Sequence, residues 1–158
     1  MLRQLGSYEH IAPLLLRLGI GLTFFFAGLG KVLDGTAGVT GFFGSLGIPL
    51  PGLMGPFIAY LELIGGLALI LGVFTRVFSL LFVANMLVAM LLVSLPTALN
   101  DPNIAKGFSA TRVEILLLLG SAALAFLGAG IFSVDSGFFG DRPRHLGEQP
   151  RLQSNRQV

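Results

Sequence analysis

The sequence predicts an all-α polytopic membrane protein, a bundle of four transmembrane helices with a short interfacial or re-entrant helix in its first loop. Three observations predict it. Hydrophobic residues make up 54 % of the 158-residue chain and charged residues 11 %, against roughly 25 % charged in a soluble domain. So little charge cannot cover a water-facing surface. Four apolar runs reach the roughly 20 residues that a helix needs to cross a bilayer. None of them shows the period-two alternation of a transmembrane β-strand, and all are too long for one.

The four spans read as about Ala12 to Leu33, Pro56 to Phe74, Val77 to Leu95 and Arg112 to Phe132. Pro56 suits a first helical position. Thr75–Arg76 leaves so short a link that the second and third spans form an antiparallel hairpin. Asp34 to Gly55 is rich in Gly and Pro around the apolar patch GFFGSLGIPLPG, which suits the interfacial helix. Pro96 to Thr111 reads as a polar loop. A membrane domain over residues 1–135 is followed by a polar tail over 136–158.

With four spans, both termini share one side of the membrane. Arg3, Arg17, Arg76 and the tail residues Arg142, Arg144, Arg151 and Arg156 fall on that side, and Lys31, Lys106 and Arg112 on the other. The excess of basic residues places both termini in the cytoplasm. The tail arginines are scattered among Pro, Gly, Gln and Asp, so nucleic-acid binding is not indicated. The first span is too long for a signal-peptide core and lacks a small-residue cleavage site, so it reads as a retained anchor.

The chain has no cysteine, and its two histidines, His10 and His145, lie in the polar ends. Neither a thiol centre nor a metal or haem site within the bilayer has a ligand set. Ser–His–Asp sets, P-loops and nucleophile elbows are also absent.

Chemistry therefore rests on a few charged residues. Arg17, Gly21, Phe24, Gly28 and Lys31 are spaced 4, 3, 4, 3 and share one face of the first helix. Arg17 and Lys31 read either as terminal charges snorkelling to opposite interfaces or as members of this face, where Gly28 admits a neighbouring backbone. The second helix repeats the pattern with Glu62, Gly65 or Gly66, Leu69 and Arg76. Arg76 reads as a topology determinant.

Glu62 is the residue out of place. Counted from Pro56 it lies about 9 Å into the helix at ~1.5 Å per residue, too deep for capping. A carboxylate at mid-membrane costs about 2.5–3.5 kcal/mol on insertion scales, somewhat less off centre. It is expected to face the bundle interior and pair with Lys31 or Arg112. Glu114 would complete a mixed-charge cluster, Asn85 would line the floor of the same cavity, and Tyr60 would add a hydroxyl. Against this, TRVE at Thr111 to Glu114 matches a capping box, which would employ Glu114 locally.

The chain resembles the DoxX family of small four-helix bacterial membrane proteins. The resemblance rests on LLLRLGIGLTFFFAGLGKV at Leu14 to Val32, GFFGSLGIPLPG at Gly41 to Gly52, ELIGGLALILGVFTR at Glu62 to Arg76, and GAGIFSVD at Gly128 to Asp135. It implies that Arg17, Lys31, Glu62 and Arg76 occupy the family's recurring charged positions. It also implies a link to membrane oxidoreductases, such as thiosulfate:quinone oxidoreductase, or to oxidative-stress defence.

Three readings follow. In the first, the chain is a quinone-binding subunit of a membrane oxidoreductase, with Glu62 as the catalytic proton carrier. In the second, it binds or moves a small hydrophobic molecule without catalysis. In the third, it is an assembly subunit whose glycine faces, Gly28 and Gly65–Gly66, dock another membrane protein or a second copy.

Overall fold

A computed structural model describes residues 11–100, 102–130 and 133–134. The N-terminal ten residues and the tail over 136–158, with their arginines and both histidines, lie outside the described residues, as do three residues of the GAGIFSVD match. All regular structure among the described residues is helical: α1 (Ile11–Leu33), α2 (Ala37–Ser45), α3 (Pro51–Leu71), α4 (Thr75–Ala89), a π-helical turn (Met90–Ser94), α5 (Leu95–Asn100) and α6 (Ile104–Leu127).

Among the described residues, three helices are long and apolar enough to cross a membrane: α1, α3, and the continuous run Thr75–Asn100 formed by α4, the π turn and α5. The molecule is apolar on its outside. Phe26, Leu33, Leu99, Leu116 and Phe126 are among the large side chains left exposed, the last at 86 %. A soluble monomer rarely presents so continuous an apolar surface, but a bilayer is its natural solvent. The chain is a helical membrane protein.

The packing of α1 against α3 is the most extensive in the molecule. The helices run antiparallel, and glycine permits their approach. A Cβ at Gly28 would collide with the backbone N of Leu63, and one at Gly66 with the backbone N of Phe25. Small residues of this kind let helix backbones meet where lipid provides no hydrophobic drive. Gly65 faces the other way and leaves room for the rings of Phe78 and Phe82 from α4. Phe24 and Phe82 stack at 3.7 Å between centroids, in a core completed by Ile20, Leu69, Met86 and Leu124. The glycines of the third reading are thus consumed inside the bundle and offer no face to another protein.

Several boundaries differ from the sequence expectation. The second long helix starts at Pro51, not Pro56, and Pro56 lies within it. Pro51 at the first helical position gives up a donor that has no intrahelical partner there, whereas Pro56, in the second turn, gives up the bond its N–H would make to the Gly52 carbonyl. Glu62 therefore sits about 16 Å along the helix at ~1.5 Å per residue, well beyond the ~9 Å expected. The α3–α4 turn is Gly72–Val73–Phe74. Gly72 adopts φ 73° and the Val73 N–H bonds to the Ala68 carbonyl at 2.8 Å, a helix stop that favours glycine. Thr75 and Arg76 belong to α4 rather than to the link.

The expected loop from Pro96 to Thr111 is mostly helix. Pro96 has no N–H and clashes with the carbonyl four residues before it. The helix answers with the wider π turn immediately upstream and continues through α5. α6 begins at Ile104, where Asn103 Oδ1 accepts from the backbone N–H of Ala105 at 3.0 Å and of Lys106 at 3.3 Å. Asn103 is the N-cap, so the capping-box reading of Thr111 to Glu114 is overturned: both residues lie inside α6. The short helix expected in the first loop is present as α2. It buries no residue and packs on α3.

Candidate functional site

Between α1, α2, α3, α4, the π turn and α6 lies a cavity of about 700 Å³, within the range of small-molecule sites. Its walls are almost entirely apolar. Phe42 and Phe43 of α2, Met54 and Phe57 of α3, and Leu92 and Val93 of the π turn contribute. Four strongly polar side chains line it: Lys31, Glu62, Asn85 and Glu114.

Glu62 is 4 % exposed. Lys31, in the last turn of α1, donates from Nζ to Glu62 Oε2, forming an ion pair. Asn85 of α4 donates from Nδ2 to Oε1 at 3.2 Å. Both carboxylate oxygens are therefore satisfied from two different helices. A charge in a low-dielectric interior persists only with such partners. Of the two cations expected to reach it, Lys31 does so. Arg112 is exposed and does not line the cavity.

Glu114, freed from capping, turns one face of its carboxylate to the cavity region. Its Oε2 is buried and finds no hydrogen-bond partner among the described residues. A buried acceptor without a partner loses its hydration and gains nothing in return, so this oxygen is the unspent group of the site. Tyr60 is not brought in. It is about half exposed and lines a separate shallow depression with Ile64 and Phe78.

The opposite end of α1 carries Arg17, which is 2 % exposed and does not snorkel. Its guanidinium donates to the carbonyls of Leu69, Ile70 and Ala129. Leu69 and Ile70 are in the last turn of α3, at the negative end of the helix dipole, and the Leu69 carbonyl also accepts from the Gly72 N–H at 3.1 Å. A Cβ at Gly72 would overlap this guanidinium, and one at Gly128 would press on that of Arg76 at 3.2 Å. Arg17 is thus a structural clamp, and Arg76 lies beside the end of α6 rather than in a turn.

A buried acid–base cluster in an apolar cavity, carried by membrane-length helices, marks the candidate site of a helical membrane protein. Comparison with known proteins narrows the class. The DoxX family matches residues 12–95, and the chain belongs to that family. It is 37 % identical over 129 residues to the Bacillus subtilis (strain 168) protein named "Putative oxidoreductase CatD", covering 82 % of this chain and 87 % of that protein. It is 33 % identical over 129 residues to the Escherichia coli (strain K12) "Inner membrane protein YqjF", covering 80 % of this chain and 92 % of that one. No solved structure matches.

Sequence reasoning found Lys31, Glu62, Asn85 and Glu114 but missed the walls. The π turn was legible only as Pro96, and the wall formed by α2 only as the apolar patch between Asp34 and Gly55.

Proposed function

We propose that this chain is a four-span subunit of a bacterial inner-membrane oxidoreductase, with both termini cytoplasmic, and that its cavity binds a quinone. One observation carries the reading: an apolar cavity of small-molecule size holds a donor, Lys31 Nζ, beside two carboxylates, Glu62 and Glu114. An oxidised quinone presents carbonyl acceptors and needs a donor. The reduced form presents hydroxyls and needs acceptors. The cluster offers both within one chamber.

Reduction of a quinone takes up two electrons and two protons. In this reading Glu62 relays both protons from water, one to each ring oxygen, and returns each time to the carboxylate that Lys31 balances and Asn85 orients. A partner protein or a bound cofactor supplies the electrons. The oxidoreductase label of the Bacillus relative and the membrane label of the Escherichia relative are consistent with this assignment. The reading takes α6, a helix of 24 residues packed on α4, as the fourth span.

A second reading, binding of a small lipid or other hydrophobic molecule without redox chemistry, draws on the almost wholly apolar cavity wall. Mass spectrometry of molecules extracted from gently purified wild type and Glu62→Gln separates the two. A quinone present in wild type and depleted in the variant supports the redox reading. Phospholipid alone in both overturns it.

A further inference from the structure

The cavity does not end at its own walls. A second groove, of about 590 Å³, runs between α1 and α6 and is lined by Ala12, Leu15, Leu16, Gly19, Ile20 and Leu116. Three further residues, Thr23, Val113 and Leu117, line both the groove and the cavity. The two spaces therefore adjoin, with Glu114 next in sequence to one of the residues at the junction. Contacts between α1 and α6 are few beside those of α1 with α3 or α4 with α6.

The groove is apolar and opens outward, since Leu15 and Leu116 are 64 % and 69 % exposed. From Thr23 to Ala12 it follows α1 for about 16 Å at ~1.5 Å per residue, roughly half the thickness of a bilayer core. The single polar group that α1 contributes at its inner end is self-satisfied: the Thr23 hydroxyl donates to the Gly19 carbonyl at 2.8 Å.

We infer that the α1–α6 groove is the exit for the tail of a long-chain amphiphile whose polar head occupies the cavity. The inference rests on the quinone reading and adds a substrate class to it: membrane-resident quinones bearing an isoprenoid or alkyl chain, entering sideways from the lipid. A chamber of this size holds a substituted ring and the first part of a chain. The remainder of a long chain requires an apolar channel to lie in, and the groove provides one.

Gly19 makes the inference testable. A Cβ built there meets nothing within 4 Å, so a side chain at this position starts in open space and extends along the groove. The full chain, in lipid nanodiscs, is titrated with two probes: 2,3-dimethoxy-5-methylbenzoquinone without a tail, and the same ring with a ten-carbon alkyl tail. Wild type is expected to bind both. Gly19→Phe is expected to bind the tailless ring unchanged and the tailed ring at least tenfold more weakly, with the melting temperature unaltered. Leu116→Trp closes the groove from the other wall and is expected to act alike. Retention of the tailed ring by both variants at wild-type affinity overturns the tail exit and leaves the quinone reading standing. Binding of neither ring to wild type overturns both.

Discussion

Lys31 and Glu62 meet across the α1–α3 interface although 31 residues separate them in the chain. The glycine at position 28, one helical turn before Lys31, brings the two backbones close enough for the pair to form, and Asn85 closes it from α4. Removing one partner leaves the other charge stranded. A fully buried pair loses about 3–5 kcal/mol in that case, and the 34 % exposure of the Lys31 side chain brings the expectation to about 2 kcal/mol. Lys31→Met and Glu62→Gln are each expected to lower the melting temperature in detergent. The double variant is expected to recover much of the loss, so a strictly additive double-mutant cycle would contradict the pairing.

Helix approach through glycine predicts an asymmetric response to the smallest substitution. Gly28→Ala and Gly66→Ala place a methyl group on the backbone of the facing helix, a form of overpacking that costs about 1–3 kcal/mol or more. Gly30→Ala points into open space and adds helix propensity, worth at most about 1 kcal/mol. Thermal melts of the three variants should rank Gly30→Ala at or above wild type and the other two well below it. Equal melting of all three would refute the close contact.

Arg17 presents a planar fork to carbonyls of two segments. Lysine keeps the charge but not the fork. Arg17→Lys is therefore expected to be nearly as damaging as Arg17→Met, each losing on the order of 1–3 kcal/mol through hydrogen bonds to these carbonyls that are not remade. A lysine variant of wild-type stability would mean that charge, not geometry, is what this end of the bundle requires.

The start of α6 yields a contrast between two residues. Asn103 caps the helix, so Asn103→Ala is expected to cost about 1 kcal/mol. Glu114 lies well inside the helix with an unpartnered buried oxygen, so Glu114→Gln is expected to be neutral or stabilising in the empty protein while weakening the ligand. Calorimetric unfolding with and without the bound molecule distinguishes the two effects. A large loss for Glu114→Gln in the empty protein would restore a structural role.

The membrane class, the all-helical architecture and the face shared by Arg17, Gly21, Phe24 and Gly28 were all legible in the sequence. Composition and helical spacing are local properties, and all four of these residues are buried as their spacing predicts. Glu62 was legible for a related reason: a carboxylate in an apolar run has few tolerable environments, and pairing inside the bundle is one of them. The same local logic misread the start of α3, since Pro51 and Pro56 both suit a first turn. It misread Pro96 to Thr111 because polar residues and prolines mark loops until packing against a neighbouring helix offsets their cost.

Tertiary structure alone decided which cation reaches Glu62. Lys31 and Arg112 both lay within reach by sequence, and the depth at which α1 crosses α3 selected the lysine. It also decided that Arg17 is buried rather than snorkelling, because the carbonyls at the end of α3 happen to face it. The cavity itself belongs to no single segment. Its walls come from five helical segments and a π turn, and a void is defined by how elements fail to fill the space between them, which no single stretch of sequence specifies.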